Sequence, residues 1–277
     1  MYHSDMLKYY RAKLDTVRSN YFLALEKNDV DGVHDLRVAL KRLKAFFNLV
    51  GSLSETFDAK KQFRDFRRIA KKTGGLRDSQ VQLELLGEVN SDIKTDLSGY
   101  TAFLGKLEGE CYERFLVFAA GDPLSKLDGM EKKIKRSLRP VTPVRAETKA
   151  LGRFYNLRND LVLRGRDGVH KIENLHKIRI LSKEIHYTFE ILNQGLHLFE
   201  TVTTFVKDIK KVHQVLGKWH DYEVCLDHLN DFFRENESAV KDEQYAVFTK
   251  RVRNEKKRLE KKFESVIDDF VKKAVLL

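Results

Sequence analysis

The chain has 277 residues, 42% of them hydrophobic and 34% charged, with three prolines and two cysteines. That length carries one large domain or two fused half-domains with proper apolar cores, and the balance excludes a disordered tail. Lys and Arg number 52 against 41 Asp and Glu, a formal charge of +11 that speaks to partners rather than fold and points to nucleic acid, anionic membrane or another polyanion.

Apolar residues recur at i, i+3, i+4, i+7 from Met6 to Leu25, Val33 to Val50, Phe57 to Ile69 and Val81 to Val89, which predicts helices over each. GDPLSKLDGMEKKIKRSLRPVTPV follows, containing Pro123, Pro140 and Pro143, and predicts a boundary near the midpoint. A second series covers Leu151 to Leu163, Leu175 to Leu192, Phe199 to Leu216, Val224 to Phe233 and Tyr245 to Phe270. Strand signals are nearly absent, so the expected class is all-α. No apolar run approaches the roughly 20 residues that span a bilayer, and the start, MYHSDMLKYYRAKL, lacks a secretory h-region. The expectation is a cytoplasmic protein with no membrane partner. Cys111 and Cys225 have no second Cys at C-x-x-C spacing and read as buried free thiols.

The two series are related. VHDLRVALKRLKAFFNLV, residues 33–50, lies over LHKIRILSKEIHYTFEIL, residues 175–192, without a gap, so that His34 falls on His176, Arg37 on Arg179, Lys41 on Lys183 and Phe47 on Phe189. One residue of offset later, Arg64 falls on Lys207, Arg67 on Lys210, Arg68 on Lys211, Gly74 on Gly217, Asp78 on Asp221 and Val81 on Val224. Charge type and apolar type are both kept. A duplication is implied, with residues 1–142 and 143–277 as two helical-bundle repeats facing each other across a pseudo-two-fold axis.

On a helical wheel, Val33, Leu36, Ala39, Leu40, Leu43, Phe46, Phe47 and Val50 fill an arc of roughly 140°, the core face. His34, Arg37, Lys41 and Lys44 form a stripe about 80° wide beside it, and His176, Arg179, Lys183 and His186 take the same stripe in the second series. Like charges three or four apart repel by a few tenths of a kcal/mol, so an anion would relieve such a stripe. Arg64, Arg67, Arg68 and Lys71 repeat the pattern on the next helix, with Lys207, Lys210, Lys211 and Gln214 as counterparts. Charged faces are usually just solvated. Placement of the same sign at matched positions argues here for ligand contact. Gly74-Gly75-Leu76-Arg77-Asp78 and Gly217-Lys218-Trp219-His220-Asp221 each read as a helix stop and restart, with Asp78 and Asp221 as N-caps. Arg77 and His220 would then project at a helix start, where free amides favour anions.

These motifs, VHDLRVALKRLK with GGLRD and LHKIRILSKEIH with LGKWHD, resemble the CHAD domains, named for a characteristic histidine and an all-helical fold. The resemblance covers almost the whole chain. It implies two four-helix bundles with a basic cleft or pore between them, and binding of inorganic polyphosphate without catalysis or cofactor. It matches His34, Arg37, Lys41, Arg42 and Lys44 to the basic motif of the first series and His176, Arg179 and Lys183 to that of the second. Glu184 and His186 stand where the family pattern favours Arg, and His220 stands where Arg77 does, so weaker or pH-dependent binding is expected of the second half. Association with polyphosphate granules would follow.

Two rivals remain at this level. Nucleic acid suits the net charge, but single-strand binders interleave basic residues with exposed aromatics, whereas Phe46, Phe47, Phe63, Phe66, Phe189 and Phe199 sit at core spacing. A phosphate- or metal-handling enzyme is suggested by nine histidines, yet no H-E-x-x-H, P-loop or paired-carboxylate pattern accompanies them, and no metal site is expected.

Overall fold

A computed structural model describes residues 2–27, 29–166, 172–195 and 202–275, and among these all regular structure is helical. Helices α1 (Tyr2–Lys27) and α2 (Val30–Leu53) pack along each other, and α2 starts at Asp29, whose side chain accepts from the Gly32 amide. The short α3 (Ala59–Gln62) leads into α4 (Arg64–Lys72), α5 (Gly74–Ile93) and α6 (Ser98–Ala119). After α7 (Met130–Leu138) come α8 (Pro143–Arg166), α9 (Ile172–Gly195), α10 (Val202–Glu235) and α11 (Glu243–Val275).

Two expected helix breaks differ from what forms. α10 runs through Gly217 and joins the segments read as Phe199 to Leu216 and Val224 to Phe233, Phe199 itself lying outside the described residues. A mid-helix glycine costs about 1 kcal/mol relative to alanine. Burial of Val212, Val215, Leu216, Trp219 and Cys225 on either side outweighs it. At the other break α5 begins directly after Thr73, whose hydroxyl donates to the Ile69 carbonyl at 3.0 Å. Asp78 therefore lies inside α5 and Asp221 inside α10, and neither caps a helix. Gly75 has another reason to be glycine: a Cβ there would come within 2.9 Å of Cys111 Sγ, so its absence lets α6 approach α5.

The periodicity missed α6 and α7. α6 buries only Tyr100, Leu104, Cys111 and Phe115, a stripe too narrow to announce itself, and α7 sits inside the proline-containing segment.

Buried side chains form two clusters. The larger draws Phe46 and Phe47 of α2, Phe66 of α4, Ile134 of α7, Phe154 of α8, Ile185 of α9, Trp219 of α10 and Phe263 of α11 together with α1. The smaller unites Leu85 and Leu86 of α5, Tyr100 and Leu104 of α6, Leu229 and Phe232 of α10, and Phe248 and Val252 of α11. Each cluster takes helices from both sides of the midpoint. As a result α2 meets α9 and α5 meets α10, and these four helices carry the basic residues of interest apart from those on α4.

Candidate functional site: a cationic groove

Burial of Leu36, Leu40, Leu43 and Phe47 fixes the rotation of α2, and burial of Leu175, Ile178, Ser182 and Ile185 fixes that of α9. The residues beside those stripes then face one another. Lys41, Lys44, Ala45 and Asn48 of α2, with Arg179, Ile180, Lys183, Glu184 and Tyr187 of α9, line a cleft of about 210 Å³. Arg37 of α2 and Arg77 of α5 add their charge to the same field.

The crowding shows in the proton affinities. Lys183 is pushed down to about 7, first by surrounding protein atoms and then by Arg179, Lys41 and Arg37. Lys41 is pushed down to about 8, again by desolvation first, then by Arg37 and Arg179. Solvent still reaches both side chains, so the shifts reflect a concave, wet surface rather than a dry interior. Arg37 and Arg179 are lowered by desolvation and stay cationic. Asp78 and Asp221 are the carboxylates that oppose these cations most directly, and desolvation lifts Asp221 to about 6 against the pull of Arg179 and Lys183. His213 and His220 fall to about 4, by desolvation and then by neighbouring cations, and are neutral at pH 7. Lys41, Lys44 and Lys183 form no ion pair with a described residue.

The other residues singled out in the sequence divide. Arg37 donates from Nη1 to the Ala70 carbonyl at 2.8 Å, which ties α2 to the end of α4 while its charge remains in the groove. His34 is exposed beside Arg77 and Lys41, and its proton affinity is lowered by desolvation and by Arg77. Arg77 pairs with Glu84 at 3.3 Å. His176 Nε2 stands 3.1 Å from Glu223, with His220 Nδ1 3.6 Å from the same carboxylate. His186 lies 6.1 Å from His213, ring to ring, and feels Glu190, Lys210 and Arg42.

Some are held elsewhere. Arg42 pairs with Glu190 at 3.0 Å and lies over the Tyr187 ring, a clamp between α2 and α9. Lys211 pairs with Asp208 at 3.2 Å, a carboxylate it shares with Lys273. Lys207 and Lys210 are exposed. On α4, Arg64, Arg67, Arg68 and Lys71 are exposed, Arg64 and Arg68 lie 3.9 and 3.8 Å from Asp65, and no described interaction joins this face to the α2–α9 groove.

Sequence reading missed the residues that offset charge. Glu184, which departs from the first series, accepts from Asn48 at 3.0 Å and pairs with Arg153. Its counterpart Arg42 pairs with Glu190, the counterpart of Asn48. The signal was present: charge reverses at position 42 versus 184 and a neutral residue becomes acidic at 48 versus 190, a complementary pair of changes.

Fold and site define an all-α helical protein with a cationic groove where two basic helices meet. Its sequence places it further: the family model for the CHAD domain matches residues 8–230, and the chain belongs to that family. A crystal structure of the CHAD domain from the plant Ricinus communis is similar with a TM-score of 0.68 at 16% identity, covering 96% of this chain and 91% of that one. That similarity extends the shared fold beyond the matched residues. No curated protein matches the sequence.

Proposed function

We propose that the chain binds inorganic polyphosphate in the groove between α2 and α9, without catalysis or cofactor. The observation that carries this reading is the convergence of Arg37, Lys41, Lys44, Arg77, Arg179 and Lys183 on one cleft, where Asp78 and Asp221 oppose them but Lys41, Lys44 and Lys183 form no ion pair with a described residue and Lys41 and Lys183 have lowered proton affinity. A site that is unfavourable when empty gains most from an anion. Polyphosphate offers only charge and phosphate oxygens, which Arg and Lys meet through charge-assisted hydrogen bonds. The exposed cations of α4 and Lys207 and Lys210 of α10 extend the track as flanking contacts.

Nucleic acid fits less well. Tyr187, the aromatic side chain that lines the cleft, is buried and offers no stacking platform. Competition of long-chain polyphosphate against single-stranded DNA, at two salt concentrations, tests the choice. Polyphosphate should displace DNA when the two are present at equal phosphate concentration, and preferred binding of DNA would overturn the reading. Release of free phosphate on incubation would contradict the non-catalytic part.

The same reading includes a duplication, with residues 1–142 and 143–277 as repeats about a pseudo-two-fold axis. Exchanged contacts support it: α2 packs on α8 as α9 does on α1, and α5 on α11 as α10 on α6. The Arg42–Glu190 pair is likewise exchanged with Asn48–Glu184. Cytoplasmic location, with polyphosphate granules as one site, is part of the proposal. Two buried free thiols, Cys111 and Cys225, suit a reducing compartment.

A further inference from the structure

His176 of α9 and His220 and Glu223 of α10 bring three ligand atoms within 4.8 Å of one another. Glu223 Oε2 lies 3.1 Å from His176 Nε2 and 3.6 Å from His220 Nδ1. An ion bound tetrahedrally at ordinary His and carboxylate distances separates its ligand atoms by about 3.3 Å, close to both values. A second observation points the same way: the Glu223 Oε2 and His220 Nδ1 atoms are buried, and apart from their close approach within the trio neither makes a hydrogen bond to a described residue. Groups of that kind are rarely left orphaned.

The duplicated anion track does not explain this trio. At the matched positions of the first series stand His34, Arg77 and Gln80, which cannot form the same donor set. His220 and Glu223 share one face of α10 at i, i+3, and the Trp219 indole, fixed by donating to Glu260 at 3.0 Å, packs against the His176 ring at 5.2 Å. The ring is thus positioned before any ion arrives.

We propose that His176, His220 and Glu223 form a binding site for a divalent transition-metal ion of the zinc class. Two imidazoles and one carboxylate are the donors such ions favour, and three protein ligands leave a fourth position for water or a phosphate oxygen. Neighbouring charge narrows the choice of ion. Lys256 Nζ stands 3.7 Å from the other oxygen of Glu223, and Arg179 and Lys183 lie within electrostatic reach of His220. One carboxylate among three cations is too little charge for an oxygen-seeking ion such as magnesium or calcium, which relies on several carboxylates. An ion with affinity for imidazole does not depend on charge alone. The site stands whether or not the groove takes polyphosphate.

The test uses the full chain in phosphate-free buffer, with cobalt(II) as spectroscopic probe and zinc(II) for affinity. One equivalent of cobalt should give the intense visible bands of a four-coordinate ion, and zinc should displace it. His220→Gln and Glu223→Gln should each weaken zinc binding by roughly 10- to 100-fold, while His228→Gln, outside the trio, should bind as the unaltered chain does. Circular dichroism in chelator reports whether the variants fold. Should either variant fail to fold, the cobalt spectrum of the unaltered chain decides alone. A spectrum that stays that of hexa-aquo cobalt, or folded variants that bind zinc undiminished, would overturn the site. Polyphosphate titration in chelator, run in parallel, separates failure of this site from failure of the groove.

Discussion

The α2–α9 groove and the outer face of α4 look alike as sequence, each a run of cations at helical spacing beside an apolar stripe. In three dimensions they differ in kind. Lys41 and Lys183 are desolvated by the surrounding protein and then crowded by Arg37 and Arg179, so both lysines lose proton affinity, whereas Arg64, Arg67, Arg68 and Lys71 spread into solvent. A stripe on one helix gives the sign of charge; only the helix that packs against it decides whether the charges converge. Binding energy is therefore expected to concentrate in the groove.

The largest effect should come from the groove itself. Arg179→Gln with Lys183→Gln removes two charge-assisted contacts and should weaken polyphosphate binding by roughly 100-fold or more. Thermal stability should stay level or rise, because like-charge repulsion is relieved. A calorimetric titration with a melting curve checks both. A variant that melts early yet binds normally would show that these cations are structural.

A smaller effect is expected from pH. Lys183 and Lys41 lose charge as pH passes about 7 and about 8, so affinity should fall several-fold between pH 6.5 and 9. Stability should move oppositely. The folded-state value of Lys183 lies below its unfolded value of about 10.4, so between the two the unfolded chain binds more protons and stability rises with pH. Lys183→Gln should flatten both trends, and titrations across this range with parallel denaturation read them out. Affinity that holds constant to pH 9 would remove Lys183 from the contact set.

Neutralising Arg64, Arg67 and Arg68 on α4 should cost only a few-fold at physiological salt. The slope of log affinity against log salt should become shallower by somewhat under one unit for each phosphate that these side chains no longer neutralise. A drop in affinity comparable to that of the groove variant would erase the contrast between the two faces. The smallest effect is assigned to Asp78→Ala. Since Asp78 lies exposed within α5 and caps nothing, the melting temperature should barely change, and affinity should rise slightly as an opposing charge leaves the groove.

Much of this was legible in the sequence because it rests on local periodicity. The core faces of α2 and α9, the cations beside them and the matched His34 and His176 all follow from spacing within one helix. What was not legible depends on partners distant in the chain. Gly217 read as a helix stop, yet α10 continues because Trp219 and its neighbours are buried; the stop read at Gly74 and Gly75 does fall between α4 and α5, but α5 restarts at Gly74 itself, and Gly75 serves contact with Cys111 on α6. Arg42 read as a ligand contact, yet Glu190, 148 residues later, holds it. Asp78 and Asp221 read as caps, yet they sit among the cations of both helices. Long-range packing made each difference, and no window of the sequence displays it.

The most direct test of a groove built from both halves of the chain is affinity as a function of polyphosphate length. An extended ligand that crosses the cations of α2 and then those of α9 gains the second set without a second loss of translational freedom. Binding per chain should therefore tighten steeply from triphosphate upward and level off once both sets are spanned. Triphosphate that bound as tightly as the long polymer would contradict a shared track and leave two separate anion sites in its place.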